Sequence, residues 1–231
     1  MFHQSIFLKN SRIPEPELME EIDQVEAYAN ANFKDAHDFI IKNLLNHVPQ
    51  KFYPKTILDL GAGPGDMTAR LVSTFKDAFF TVLDGSERMI IHNKNHLLRT
   101  EPKAKIDWEI LPIQNFIPEK FYEFIFSNSL LHHLQDPFEL WSVIQRSSDE
   151  NTFIFISDLL RPKTFEEANH LVELYAKDEN EILKRDFYNS LLASFTVEEV
   201  ETMLRVVRLD QKLKVDQISD RHWICYSRLL N

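Results

Sequence analysis

The sequence predicts an α/β fold: a doubly wound, mostly parallel seven-stranded sheet, with helices before the first strand and a helical insertion after the fifth. Three observations carry this expectation. Short apolar runs alternate with amphipathic stretches at βαβ spacing between residues 56 and 157. The first run, Ile57-Leu58-Asp59-Leu60, breaks into Gly61-Ala62-Gly63-Pro64-Gly65 and then into a helical pattern. After residue 160 the alternation stops, and consecutive amphipathic stretches precede two last strand-like runs.

Residues 16–48 predict two helices. Glu17 to Asn30 carries Leu18, Ile22 and Val25 at helical spacing, and Phe39, Ile40, Leu44, Leu45 and Val48 continue after a break near Phe33. Pro49 and Pro54 close that unit. A strand at Thr56 to Leu60 leads through the glycine turn into a helix from Asp66 to Phe75, with Met67, Leu71 and Phe75 on one face. Phe79 to Leu83 is the second strand, ending at Asp84-Gly85, and Ser86 caps a helix to about Arg99. Lys105 to Leu111 and Phe121 to Ser127 are the third and fourth strands; the fourth is dense in aromatics, as a strand buried on both faces should be. Asp136 caps a helix with Pro137 at its first position, extending to about Ser148. Thr152 to Ser157 is the fifth strand. Thr164 to Lys177 and Glu181 to Phe195 are helices, and Thr196 with Glu199 forms a capping box for a third. Arg208 to Val215 and Trp223 to Leu229 close the sheet. No repeat or linker interrupts the chain, so residues 1–231 read as a single domain with a cap at 16–48 and a lid at 160–206.

Composition bounds the function. In 231 residues, hydrophobic side chains at 44% and charged ones at 27% fit an ordinary soluble α/β domain. A formal net charge of −10 disfavours non-specific binding to nucleic acid or anionic membranes. The single cysteine, Cys225, allows no intrachain disulfide, which points to a reducing compartment. Neither a signal-peptide pattern nor an apolar run near the roughly 20 residues of a membrane span is visible, so the cytoplasm is the expected location.

The chemistry concentrates at the glycine turn. Three of the four glycines fall within five residues, where glycine supplies positive φ or lets a ligand lie against bare backbone. A dinucleotide fingerprint is G-x-G-x-x-G, with a pyrophosphate at the helix start. Here the third glycine comes one residue early and Asp66 occupies the place of its Gly or Ala. A carboxylate there repels a phosphate, and Asp59, two residues before the turn, equally favours a cationic or hydroxyl-rich ligand. Asp84 closes the second strand, where it can accept both hydroxyls of a ribose.

The segment resembles motif I of the class I S-adenosylmethionine (SAM)-dependent methyltransferases, a Rossmann-like family whose cofactor carries an ammonium and a sulfonium and no phosphate. The resemblance is good over residues 55–160 and loose in the terminal helices. It implies SAM as cofactor, S-adenosylhomocysteine (SAH) as product, and no metal. It also implies a cofactor site from Asp59, Gly61, Ala62, Gly63 and Gly65, with Asp84 as the ribose ligand and Gly85, Ser86 and Met89 flanking the adenosine. Where family members often carry an acid for the adenine amino group, this chain has Pro112, leaving Ile113 and Gln114. Ser127, Asn128 and Ser129 can face the methionine part, and Tyr28 lies where small-molecule members fold a segment over SAM; helix core is its other reading.

The run Leu130-Leu131-His132-His133 offers candidate bases, and turn histidines satisfied by backbone are the alternative. No Cys or acid stands at ligand spacing beside them, so they do not read as zinc ligands. His92 and His96 read as a solvated helix face. Asp158 and Arg161, at the carboxyl end of the fifth strand, are acceptor-site candidates, with a structural ion pair as the competing account. The inserted helices add Tyr175, Arg185, Asp186, Tyr188 and Ser190, of which Tyr188 is the catalytic candidate. The polar turn Ser219-Asp220-Arg221-His222 has no assigned place. The resulting expectation is methyl transfer to a small molecule; a tRNA or protein methyltransferase, a catalytically silent SAM-binding module and a NAD-dependent oxidoreductase stay open as alternatives. Nucleic acid and membrane are disfavoured as partners, and the oligomeric state is not legible.

Overall fold

The computed structural model describes residues 12–16 and 21–228. Its elements, in chain order, are α1 (Ile22–Asn30), α2 (Lys34–His47), β1 (Thr56–Leu60), α3 (Asp66–Thr74), β2 (Phe79–Asp84), α4 (Glu87–Thr100), β3 (Lys105–Ile110), β4 (Phe124–Asn128), α5 (Phe138–Ser147), β5 (Phe153–Leu159), α6 (Phe165–Tyr175), α7 (Glu181–Ala193), α8 (Val197–Val206), β6 (Leu213–Gln217) and β7 (His222–Ser227). Two short 3₁₀ turns, Ile113–Asn115 and Leu131–His133, follow β3 and β4.

The strands form one sheet in the order β3-β2-β1-β4-β5-β7-β6. The five strands β1 to β5 pair in parallel, and β7 runs antiparallel to both β5 and β6. Strands β2 and β3 are added on one side of β1 and β4 onward on the other, which makes the carboxyl ends of β1 and β4 the topological switch point, where a crevice opens in this architecture.

Period-2 alternation in the central strands separates two cores. Phe124, Phe126, Phe153 and Phe155 face α2, α3 and α4 through Ile40, Leu44, Met67, Leu71 and Ile90. Ile125, Ile154 and Ile156 face α5 and α8 through Trp141, Ile144, Val200 and Leu204. Phe80, Phe124, Phe126 and Phe155 are fully buried, each contributing about 1.5–3 kcal/mol relative to an exposed side chain. These strands read as continuous apolar runs because both faces are covered.

The expected caps at Ser86 and Thr196 form, and Thr164 and Asn180 cap two further helices. Ser86, Thr164, Asn180 and Thr196 each accept a backbone N–H in the first turn, and Thr196 with Glu199 completes the capping box. Several boundaries differ from expectation. Tyr122 donates its N–H to Ser147 and its hydroxyl to Thr81, so β4 begins at Phe124 and Phe121 stays exposed. Asp136 accepts the Phe138 amide, and α5 starts after Pro137 rather than on it. Arg208 takes a left-handed backbone (φ 59) that closes α8, so β6 begins at Leu213. The expected first turn at residues 17–20 and the end of the last run at Leu229 lie outside the described residues. Among the described residues, no helix is long and apolar enough to cross a membrane.

Candidate functional site

A cavity of about 470 Å³ lies at the carboxyl ends of β1, β2 and β4, within the usual range of roughly 300–1,000 Å³ for small-molecule sites. Its walls are the glycine turn, Asp84 to Ser86, Leu111 to Ile113, and Asn128 to Leu130. Tyr28, Ala29 and Ala31 to Phe33, from the α1–α2 connection, also line it. The rings of Tyr28 and Phe33 lie 4.9 Å apart.

The glycine turn is pinned to β2, because the Gly61 and Ala62 amides both donate to the Leu83 carbonyl, at 2.8 and 3.0 Å. Gly63 (φ 55) lines the cavity, and a Cβ built there would meet nothing within 4 Å. Gly65 (φ 102) has the opposite reason to be glycine. A Cβ there would come within 2.9 Å of the Asn93 Cα, so its bareness lets α4 approach the start of α3. One glycine leaves space for a ligand and the other for the protein.

A buried carboxylate, Asp59, and a half-buried one, Asp84, occupy the wall beside Gly63. Asp84 accepts the Gly63 amide on Oδ2 and the Ser86 amide on Oδ1, both at 2.8 Å. This fixes the carboxylate and leaves each oxygen with further acceptor capacity. Burial raises its pKa in spite of these two bonds. Asp59 accepts the Thr68 hydroxyl at 2.7 Å, and burial, reinforced by the charge of Asp84, pushes its pKa up to about 7. Three basic side chains lining the cavity are engaged elsewhere. Arg70 donates to Asp66 at 2.7 Å and pairs with Asp38, His37 sits 2.6 Å from Asp66, and Lys34 sits 2.6 Å from Asp38. The pocket therefore presents acidic walls whose ionisation would be eased by a bound cation.

A residue that sequence reading passed over holds this wall together. Asn93, fully buried on α4, donates to the Gly63 carbonyl (3.2 Å) and the Thr68 hydroxyl (3.3 Å) and accepts the Trp108 indole N–H (3.1 Å). Through Thr68 it reaches Asp59, so one side chain ties the turn, the acid and β3. Its only sequence signal was a polar residue on the apolar stripe of a helix, next to Ile90 and Leu97.

Among the residues expected at the cofactor site, Tyr28, Asp59, Gly61, Ala62, Gly63, Asp84, Gly85, Ser86, Met89, Ile113, Asn128 and Ser129 line the cavity. Ser129 does so from a left-handed backbone (φ 55), a conformation costly for a non-glycine residue, held by its amide on the Ser157 carbonyl. Gly65, Gln114 and Ser127 do not line it. Gly65 packs against Asn93, Gln114 is exposed on the short turn after β3, and the Ser127 hydroxyl donates to the Leu60 carbonyl, joining β4 to β1.

The catalytic candidates divide further. His133 lines the cavity, whereas His132, Asp158, Arg161 and Tyr188 do not. The buried Arg161 guanidinium donates to Glu199 (2.5 Å) and to the Ser194 carbonyl (3.3 Å), tying β5 to the start of α8. Its partner is not Asp158. Tyr188 packs with Leu171 and Leu192 between α6 and α7. Of the other polar residues, Tyr175 and Arg221 stack over one another near Asp220, and Arg185 pairs with Asp186. His92 reaches Glu26 at 3.1 Å, while His96 lines the cavity.

His132 is buried within the 3₁₀ turn after β4, its Nδ1 hydrogen-bonded to Asp158 and its amide donating to the same carboxylate at 3.1 Å. Burial would lower the pKa of His132, but Asp158 and Glu15 outweigh it and raise it. Burial and the neighbouring His132 push His133 down to about 3, leaving it neutral. Glu15, which spacing along the chain could not bring to mind, arrives from the segment 12–16. Its Oε1 lies 3.5 Å from His132 Nε2 and 3.3 Å from His133 Nδ1, and it accepts the Ser190 hydroxyl at 3.0 Å. Arg12 fastens this segment by donating to the carbonyls of Ala193 (2.6 Å), His132 (2.6 Å) and Leu134 (2.8 Å).

Comparison with known proteins bears on this geometry. A family model described as a methyltransferase domain matches residues 58–154, the span that holds the glycine turn, Asp84 and β4. The plantazolicin methyltransferase BamL, solved with SAH and a triazolic desmethylPZN analog, superposes with a TM-score of 0.68 at 15% identity, covering 89% of this chain and 90% of that one. The fold is that of the class I SAM-dependent methyltransferases. A methyltransferase of the same fold from Aquifex aeolicus superposes with a TM-score of 0.63 at 13% identity, over 90% of this chain and 98% of the other. Among curated proteins, the malonyl-[acyl-carrier protein] O-methyltransferase of Bacillus cytotoxicus is 30% identical over 160 residues, covering 67% of this chain and 52% of its own length. This chain with the class I methyltransferase fold thus spans about half of that relative.

Proposed function

We propose that this chain binds SAM in the cavity at the β1–β4 switch point and transfers its methyl group to a small molecule. The observation that carries the reading is the open face of Gly63, a positive-φ glycine whose missing Cβ gives onto free space beside the two acids Asp59 and Asp84. A dinucleotide fits these walls poorly, since Asp59, Asp66 and Asp84 all oppose a pyrophosphate. A ribose suits Asp84, whose two oxygens keep acceptor capacity after binding the Gly63 and Ser86 amides. A cationic ligand suits Asp59, because it offsets the desolvation that raises this acid. Ser86, Met89 and Ile113 form the less polar part of the wall, where a base would lie, and Tyr28 and Phe33 restrict entry of water from above.

SAM, when bound, supplies an activated methyl on a sulfonium with a neutral leaving group. What remains for the protein is to orient the acceptor and exclude water. Neutral His133 is the side chain of the histidine pair that reaches the cavity, so it is our candidate for taking a proton from an oxygen acceptor. The low pKa makes it a weak base, and an acceptor already ionised in solution would not need it. Similarity to a malonyl-[acyl-carrier protein] O-methyltransferase supports a small or carrier-bound acceptor over nucleic acid. A net charge of −10 agrees with that choice. We infer the cytoplasm as its compartment from a single cysteine that is buried in β7.

Isothermal titration with SAM, SAH and NAD tests the reading. We expect heat with SAM and SAH at a 1:1 ratio and none with NAD; heat with NAD alone overturns it.

A further inference from the structure

We propose that Glu15, His132 and His133 bind one divalent metal ion of the zinc class. The three side chains come from the segment 12–16 and from the turn after β4, and one ligand atom from each lies within 4.8 Å of the other two. The separations from Glu15 Oε1, 3.5 Å to His132 Nε2 and 3.3 Å to His133 Nδ1, match the edge of a zinc tetrahedron, about 3.3 Å for bonds near 2.0–2.1 Å. Two imidazoles and one carboxylate form a donor set that borderline metals take with a fourth position left open.

Two further observations point to a ligand rather than to packing alone. The His133 Nδ1 atom is buried and makes no hydrogen bond, although the carboxylate of Glu15 is close by. His132 is held from behind as a metal ligand is held, because its Nδ1 bonds to the buried carboxylate of Asp158 and its Nε2 is left facing Glu15. Glu15 is itself positioned, by the Ser190 hydroxyl on its Oε1 and by the Gln135 side chain on its backbone carbonyl. Arg12 is spent on the carbonyls of His132, Leu134 and Ala193, which fastens the carboxylate-bearing segment over the histidines. Since His133 also lines the cavity, the ion would sit at the cavity wall. A metal on His133 Nδ1 leaves the ring proton on Nε2, so it excludes the base role proposed for His133; SAM binding does not depend on the metal, and the titration with SAM tests it separately.

The test uses the full chain, stripped with a chelator, desalted and titrated with Co(II), then with Zn(II) in competition. We expect one equivalent of Co(II), intense visible bands of a tetrahedral or five-coordinate site, and their loss on adding Zn(II). Glu15→Gln and His133→Phe should each weaken Co(II) binding about tenfold or more, with chelator-treated melting curves confirming that each variant folds. Absence of those bands in the unaltered protein overturns the proposal, whatever the variants do. So does a folded Glu15→Gln variant that binds Co(II) as tightly as the parent.

Discussion

Replacing Gly63 with valine is expected to abolish SAM binding, weakening it by roughly 100-fold or more, about 3 kcal/mol or above, while the protein still folds. The side chain would project into the free space beside Asp84 that the missing Cβ now leaves, and it would meet no protein atom within 4 Å at its first carbon. The cost to the fold is the left-handed backbone alone, roughly 1–2 kcal/mol. Gly65 provides the control in the same loop. Gly65→Ala drives a Cβ to within 2.9 Å of the Asn93 backbone, so its first effect should be on stability, an overpacking loss of roughly 1–3 kcal/mol besides the backbone cost. Melting curves and SAM titrations on the two variants separate the roles. Equal affinity for SAM in Gly63→Val and the parent would show that the open face is not where the cofactor lies.

Asp84→Ala is expected to weaken SAM by about 1.5–3 kcal/mol, the range for hydrogen bonds to a charged group, or roughly tenfold to 150-fold in Kd at constant pH. Asp84 does two things at once. It offers acceptors toward the cavity, and it holds the Gly63 and Ser86 amides at 2.8 Å. Asp84→Asn impairs both, because its side-chain oxygen keeps one amide while its nitrogen cannot accept from either the second amide or a hydroxyl. The variant should therefore bind SAM nearly as poorly as Asp84→Ala. Calorimetry on both, beside melting curves without ligand, is the check; unchanged affinity would reduce Asp84 to a residue that shapes the turn.

What was legible in the sequence was what depends on near neighbours in the chain. Strand alternation, the caps at Ser86 and Thr196, and the glycine turn are each set by residues within a few positions, so pattern alone carries them. The cavity wall from Asp59 to Met89 was visible for the same reason, since one βαβ unit builds it. Partnerships across the fold were not visible. Arg161 looked available beside Asp158 because both leave β5 together, yet its partner, Glu199, comes from α8. Spacing gave no acid for the histidine pair, and Glu15 reaches it from the far end of the chain. Asn93 looked like an ordinary helix residue; only the approach of α4 to Gly65 makes it the tie between turn and sheet.

A crystal structure of the full chain grown with SAH tests the central claim most directly. We expect the ribose hydroxyls on the Asp84 carboxylate, the homocysteine part along the Gly61–Gly63 backbone and the base between Met89 and Ile113. Density for the nucleoside anywhere outside this crevice, or protein side chains filling the crevice while SAH binds elsewhere, would contradict it.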